Sequence, residues 1–578
     1  MINKTYIKGK DLDLETSIST MLNKLKKYDF SIKEISSLNP TEFAYSHHIQ
    51  EETTEFLFTN GKGACVKSSM ASALGEFFER LCTNYFFADY YLGEDISKSD
   101  FVFYPNEKWF SIDSNETPLT DELWSFYDED DELSLEDLYE LNSGSIDRGI
   151  CALPFRCVLD DEVVYFPVNI LNNLYVSNGM AAGNTANEAK VQGLSEILER
   201  YVKNKIISEG ISLPDIPIEV LDLYVQSKNV IQKLEDYGYH IKVQDASLGG
   251  IYPVICVTLI NPKDGSVFAS FGSHPCFEVA LERTVTELLQ GRSLDMFNDF
   301  KTPSFDLFEV ADAFNLEDHF VNSTGLISYE FFKNSSKYSF VHWNKDLNTK
   351  DEFEYLSKII YKMNLDMYIA EYNFMDVNIC RIIIPGMSEI YPVSDLLFSN
   401  NNIGMVFREK FLNLNNLTYE DMYDLLEDLA DSGLDDMRKV SELIGIIPDK
   451  NTLWESIILA EIKAMLCIAT KDYEDAIEFN NVVLAVEVDA KRIRFYKCLQ
   501  AVLEIKIDMK KDFKQYEYSL VLMYSQENVD ICLKLISGDK KFYGLESPTL
   551  SLSGLEKHSK LIDAYKKLAR AKREYYGK

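Results

Sequence analysis

Three stretches of the chain place carboxylates at helical spacing inside otherwise apolar sequence. Ser72, Glu76 and Glu79 lie at offsets 0, 4 and 7. Glu188, Gln192, Glu196 and Glu199 lie at offsets 0, 4, 8 and 11, and Arg283 stands four before Glu287. At ~100° per residue each set falls on one narrow stripe of an α-helix. A solvated stripe would alternate Lys with Glu, but here the intervening residues are Leu74, Phe77, Phe78 and Leu81 in one helix and Leu194, Ile197 and Leu198 in the other. Both helices are therefore expected to be mostly buried, with their glutamates facing an enclosed polar space. Carboxylates crowded in such a space must be protonated, paired or metal-bound. The two helices also share a register: Ala73-Leu-Gly-Glu-Phe-Phe-Glu-Arg-Leu81 returns 120 residues later as Gly193-Leu-Ser-Glu-Ile-Leu-Glu-Arg-Tyr201.

Convergence of Glu76, Glu79, Glu196 and Glu199 would give an all-oxygen ligand set, which suits Mg²⁺ or Ca²⁺ rather than zinc. A di-iron bundle uses Glu-x-x-His, and neither helix contains histidine. Arg80 and Arg200 follow directly and are able to pair carboxylates or to hold phosphate in bidentate fashion. Taken alone, Arg283 and Glu287 form an ordinary i,i+4 pair. Thr185-x-x-Glu188 also fits a capping box. Asn60-Gly-Lys-Gly63, with Lys67 just beyond, precedes the first helix; Ser177-Asn-Gly179 and Ala182-Gly-Asn184 precede the second. These lack P-loop spacing, yet glycines before a helix can form an anion-binding nest, with Lys62 or Lys67 supplying charge. Carboxylates, magnesium and glycine-rich loops together indicate a nucleoside triphosphate.

The elements that must position these residues are mixed up to about residue 400. Leu57–Gly61 reads as a strand end before a helix over about 67–85, and Val163–Ile170 as a strand. Thr185–Ile206 reads as a long helix. Ile251–Ile260 and Val267–Gly272 form a strand pair around Asn261-Pro-Lys-Asp-Gly265, Phe277–Arg292 is helical, and Ile369–Tyr372 and Val377–Pro385 are strands. The expected class is an α/β or α+β domain over residues 1–405. Beyond it, stretches near 418–432, 436–447, 453–470, 474–508, 512–535 and 555–576 have helical periodicity, giving an all-α domain over 406–578. Ala460–Ala476 there is similar to a tetratricopeptide helix-turn-helix.

Composition narrows the function. With 46% hydrophobic and 26% charged residues the 578-residue chain is globular, and its net charge of −35 excludes a phosphate-backbone or anionic-membrane binder. The last 178 residues hold 26 basic and 30 acidic side chains, so residues 1–400 carry nearly all the excess. That near balance points to self-association through the C-terminal domain, a homodimer being the expected form. Ten scattered cysteines with no C-x-x-C pair fit reduced thiols. Met1–Thr5 has no apolar signal region, and the apolar run Ile251–Ile260 is too short to span a bilayer, so the expected location is the cytoplasm.

Ser72-x-x-x-Glu76-x-x-Glu79-Arg80, Glu188-x-x-x-Gln192-x-x-x-Glu196-x-x-Glu199-Arg200 and Arg283-x-x-x-Glu287 resemble the three ATP-binding motifs of the YcaO family, complete and in order. Gly9-Lys10-Asp11, Asn106–Phe110 and the helical C-terminal region extend the resemblance over nearly the whole chain. It implies a YcaO-type ATP-binding fold, with ATP and several Mg²⁺ held by Glu76, Glu79, Glu188, Glu196 and Glu199. It also implies nucleotide contacts from Lys10, Ser17, Lys67, Ser72, Asn184, Gln192, Arg200, Arg283 and Glu287. The resemblance implies the chemistry of the better understood members, which phosphorylate a peptide amide oxygen so that a nucleophile can replace it. The azoline-forming members end in a proline-rich tail. This chain ends Arg573-Glu-Tyr-Tyr-Gly-Lys578, so the expectation turns away from heterocycle formation. The enterobacterial branch implies a role accessory to a radical-SAM methylthiotransferase acting on a small-subunit ribosomal protein. An independent thioamidating or cyclising enzyme and an ATP-switched scaffold are the rival readings.

Overall fold

The computed structural model describes residues 4–113, 116–297, 300–486 and 490–577. Three antiparallel sheets build the first portion. β1 (Ile32–Thr41), β2 (Ala44–Glu51) and β3 (Phe58–Gly63) form a meander. A second sheet runs in the order β4 (Lys108–Phe110), β5 (Ile150–Cys157), β11 (Tyr368–Glu371), β12 (Asn378–Ile383) and β7 (Met180–Gly183), with β6 (Val163–Pro167) also paired to β5. The third orders β10 (Val267–Ser273), β9 (Val254–Ile260) and β8 (His240–Asp245). Helix α1 (Leu14–Lys27) packs beside α2 (Val66–Cys82), which lies on β3. Helix α3 (Ala186–Ser208) covers β7 and β12, while α4 (Val225–Tyr237) and α5 (Phe277–Leu288) cover the third sheet. Helix α6 (Thr349–Tyr361) packs against α3.

Each helix that carries a motif starts within four residues of a strand end and folds back onto that strand. A glycine makes this possible. A Cβ on Gly63 would lie 2.3 Å from Ser68 Oγ, one on Gly183 2.4 Å from Ala189 N, and one on Gly272 2.3 Å from Thr284 Oγ1. The glycines of Asn60-Gly-Lys-Gly63 thus serve helix–strand contact within β3 rather than an anion nest, since Gly61 is pressed against the Ser69 carbonyl in the same way.

Several elements are shorter than their periodicity predicts, each for a local reason. Helix α2 stops at Cys82 because Asn84 takes φ +63°. β9 begins only after Pro253, and β6 turns into a helical turn at Val168–Ile170.

The C-terminal portion is helical: α7 (Tyr419–Asp431), α8 (Leu459–Thr470), α9 (Tyr473–Ala485), α10 (Ala490–Ile507), α11 (Phe513–Tyr524) and α12 (Gln526–Ser537). Buried Ala460, Ala464 and Ala476 let α8 and α9 pack closely as a hairpin. The stretch expected as one helix over 512–535 is two, broken at Ser525 with φ +85°. Likewise 436–447 contains only the turn Val440–Leu443.

Helix α13 (Glu556–Tyr576) leaves these helices and packs into the first portion. Its Leu561, Ala564, Tyr565, Leu568 and Ala571 join one apolar core with Phe78, Val102 and Tyr104. Lys572 is fully buried there: its Nζ donates to Asn84 Oδ1 at 2.5 Å and to the Phe103 carbonyl at 2.7 Å, and lies 4.3 Å from the Tyr104 ring centre. Among the described residues no helix is long and apolar enough to cross a membrane.

Candidate functional site

Helices α2, α3 and α5 with strand β3 enclose a cavity of about 890 Å³, inside the ~300–1,000 Å³ range of small-molecule sites. Ser72, Glu76 and Glu79 reach it from α2. Glu188, Gln192, Glu196, Glu199 and Arg200 reach it from α3, and Arg283 and Glu287 from α5. Lys10, Ser17 and Asn184 complete the wall. The side chains between these positions are buried as the spacing requires: Leu74, Phe77, Phe78, Leu194, Ile197 and Leu198 are all fully covered.

Lys67 is the one expected site residue that does not line the cavity. Its ammonium bonds Glu15 Oε1 of α1 at 2.5 Å. Lys62 lines the cavity instead. Successive β3 residues alternate faces, so Gly61 and Gly63 meet α2 while Asn60 and Lys62 turn to the cavity. The Lys62 ammonium pairs with the Glu287 carboxylate. Loss of water pushes it down to about 8 against the pull of Glu199, with Arg283 adding repulsion.

The carboxylates are unevenly matched by cations. Arg80 approaches Glu76 and Glu79 only to 3.6 Å each, too far for good hydrogen bonds. Its guanidinium lies over the Tyr85 ring, and its buried Nη1 has no partner. Burial raises the Glu76 carboxyl and lifts that of Glu79 well above the usual range; Arg80 opposes this, and Glu196 adds to it. Burial likewise raises Glu199 against the opposing effect of Lys62. Glu196 is better paired, 2.7 Å from Arg200, whose other nitrogen donates to Asn178 Oδ1 at 3.2 Å. Arg283 donates to Gln192 Oε1 at 2.5 Å and to the Ser273 carbonyl at 3.3 Å.

Glu188 differs from the other glutamates in its partners. Its carboxylate lies 3.1 Å from Lys10 Nζ and accepts from Asn184 Nδ2 at 2.9 and 3.0 Å and from the Asp11 N–H at 3.0 Å. Burial would raise it, but Lys10 and these donors hold it below the usual range. Thr185 Oγ1 accepts the Glu188 N–H at 3.2 Å, yet the carboxylate turns to the N-terminal segment. The capping box is only half made.

Lys203, one turn beyond Glu199, lines a smaller neighbouring cavity with Glu199, Arg200 and Glu287, a position the sequence does not signal because an isolated lysine in a helix reads as surface. Its Nζ donates to the His319 carbonyl at 2.6 Å and to Ser323 Oγ at 3.2 Å, and burial pushes it down to about 8 against the pull of Glu199.

Among the described residues no three acidic, His or Cys side chains stand close enough to clasp a metal unaided. The residues nevertheless fit Mg²⁺ held jointly with a phosphate. Mg²⁺ is commonly bound by one or two carboxylates plus substrate phosphates, and here the donors are all oxygens, three with carboxyls raised by burial that Arg80 and Lys62 only partly oppose.

Glu79→Gln tests this imbalance without any ligand. A carboxyl raised by folding takes up a proton, so its ionisation costs stability as pH rises through the range above its unfolded value. The Gln variant is therefore expected to unfold at higher temperature than wild type, with a larger gap at pH 7 than at pH 5. An equal gap at both would place Glu79 in a neutralised pair.

The chain is 48% identical over 590 residues to the ribosomal protein S12 methylthiotransferase accessory factor YcaO of Escherichia coli strain K12, with 100% of both chains covered. It is 46% identical over 584 residues to a protein of Haemophilus influenzae, covering 99% of this chain and 100% of that one. In fold it is similar to YcaO from Methanopyrus kandleri bound with AMPPCP and Mg²⁺, at 14% identity and TM-score 0.40, covering 65% of this chain and 92% of that chain. The family description "YcaO cyclodehydratase, ATP-ad Mg2+-binding" matches residues 60–388, and "YcaO cyclodehydratase C-terminal domain" matches residues 404–574. With all three glutamate and arginine motifs on one cavity and both family regions present, the chain belongs to the YcaO family of ATP- and Mg²⁺-binding proteins.

Proposed function

We propose that the chain uses Mg–ATP in this cavity to activate a peptide amide carbonyl, as an accessory factor in β-methylthiolation of a small-subunit ribosomal protein. The observation that carries the reading is the facing of two unlike sets on one cavity. Lys10, Arg200 and Arg283 offer charge to phosphate, while Glu76, Glu79 and Glu199 lack sufficient counter-charge of their own. Similarity to the E. coli accessory factor supports the cellular role.

An amide oxygen is a poor leaving group, and phosphorylation makes it a good one. Bound Mg²⁺ would neutralise charge on the transferring group. Glu76, Glu79, Glu196 and Glu199 are assigned to the metal. Ser17, Ser72, Asn184, Gln192, Arg200, Arg283 and Glu287 are assigned to the nucleotide. Glu188 acts through Lys10, which it holds at the cavity wall. The partners are a radical-SAM methylthiotransferase and a second copy of this chain, bound through residues 406–578 as a cytoplasmic homodimer, with the stacked hairpins of tetratricopeptide type.

In cells lacking this chain, the methylthio mass on ribosomal protein S12 is expected to fall. Wild type should restore it, and Glu199→Ala should not. Restoration by Glu199→Ala would replace amide activation with an ATP-independent scaffold.

A further inference from the structure

An aromatic surface borders the cavity. The short helix Leu307–Ala311 and the helix Ala313–Val321 join at Asp312 and pack on α3. Their inner side is closely fixed: Asn315 Nδ2 donates to the carbonyls of Val310 at 2.7 Å and Leu326 at 3.0 Å, and Val310 and His319 are buried. Phe308 is 92% exposed, Phe314 79% and Val321 64%, and Phe305, just before the first helix, is 75% exposed with its ring stacked on that of Tyr329 at 4.4 Å. Phe314 and Val321 are seven residues apart, so they share one stripe of the helix. That stripe ends at the cavity, which Phe320 and Val321 line. Rigid helices gain nothing from presenting phenylalanine to water, and clustered exposed aromatics mark interaction sites.

The charge around these rings selects the occupant. Asp306, Glu309 and Asp312 are exposed and interleave with the phenylalanines. Lys301, nearby in sequence, is committed to Asp318 at 2.8 Å. A second copy of a chain with net charge −35 would set carboxylate against carboxylate here. A cationic polypeptide would pair with them, and a surface continuous with the cavity mouth can feed its backbone toward the nucleotide.

We propose that the face bearing Phe308, Phe314 and Val321 docks a Lys/Arg-rich polypeptide substrate and delivers one of its amides to the cavity; this rests on the amide-activation reading.

The probe is a short labelled Lys/Arg-rich peptide containing two leucines, followed by fluorescence anisotropy with the full chain. An otherwise identical peptide with Glu at the basic positions is the control. Wild type should bind the cationic peptide and not the acidic one, more weakly as salt rises. Phe308→Ser/Phe314→Ser should weaken binding by ~10-fold or more, the loss of about 1.4 kcal/mol or more. Asp306→Asn/Glu309→Gln/Asp312→Asn keeps the helix caps and should weaken binding similarly while flattening the salt dependence. Thermal stabilisation by Mg–ATP should be unchanged in both variants. Absence of binding by wild type, preference for the acidic peptide, or equal binding by the variants overturns the proposal. Loss of dimers in the Phe variant by light scattering would give the face to a second copy instead. Peptide binding as expected with no Mg–ATP stabilisation of wild type would sink the amide-activation reading and leave the surface standing.

Discussion

Glu199→Ala and Glu79→Ala are each expected to lower Mg²⁺-dependent ATP hydrolysis by at least ~100-fold, the scale on which loss of metal positioning acts. Both carboxylates open on the cavity from helices whose remaining faces are buried and apolar. Glu188→Ala should behave differently. Its carboxylate holds Lys10, Asn184 and the Asp11 backbone rather than facing the cavity unpaired. Releasing the N-terminal segment weakens nucleotide binding more than it disturbs the metal, so KM for ATP should rise by about tenfold with kcat changed far less. Steady-state hydrolysis across ATP and Mg²⁺ concentrations separates the three variants. Unchanged turnover in both Glu79→Ala and Glu199→Ala would remove these glutamates from the site. A collapse of kcat in Glu188→Ala would return Glu188 to the metal set.

The site was legible because polar residues stood where a helix should be apolar. Glu76 and Glu79 interrupt Leu74, Phe77 and Phe78 at a single phase, and only an internal polar space explains that pattern in a buried helix. Lys62 was harder. Its neighbours Gly61 and Gly63 read as a phosphate loop, yet they are strand residues made small by the approach of α2, and the strand's alternation turns Lys62 to the cavity. Lys67 sits two residues into α2, where Glu15 of a helix far off in sequence captures it. Such a partner has no periodic signature. β1 was missed for a related reason. Most of its side chains are exposed, so it lacks the apolar alternation that announces a half-buried strand.

The expected domain boundary rests on where strands stop, and the last strand, β12, ends at Ile383. Such a boundary is blind to a helix that returns. α13 has the amphipathic pattern of its predecessors, and nothing in its periodicity says which core its apolar stripe fills. The near charge balance of residues 401–578 also leans on this helix, which carries Lys557, Lys560, Lys566, Lys567, Arg570, Lys572 and Arg573. Several of these pair with the acidic first portion: Arg570 reaches Asp29 at 2.8 Å and Arg573 reaches Asp100 at 2.9 Å.

Ending the chain after Leu555 is therefore expected to unfold the ATP-binding portion, although every motif residue remains. Leu561, Tyr565 and Leu568 are buried to within 1% in a core shared with Phe78 and Tyr104. Truncating one such leucine to Ala costs ~2–5 kcal/mol, so losing the helix exceeds the ~5–15 kcal/mol that holds a typical domain. Near-UV circular dichroism of the truncated chain should show loss of fixed aromatic packing, and Leu568→Ala should lower the denaturation midpoint of the full chain. Lys572 tests the docking more finely. Burial pushes its ammonium down to about 7 from the ordinary 10.5, with Cys82 and Glu107 opposing. Between those values the unfolded chain holds a proton that the folded chain releases, so wild-type stability climbs with pH relative to Lys572→Met. From pH 7 to pH 9 the wild-type minus variant difference should grow by on the order of 2 kcal/mol, since each pH unit contributes at most ~1.4 kcal/mol. Urea unfolding of both proteins at the two pH values measures it. A difference that stays constant would mean that Asn84, the Phe103 carbonyl and the Tyr104 ring keep the buried ammonium charged.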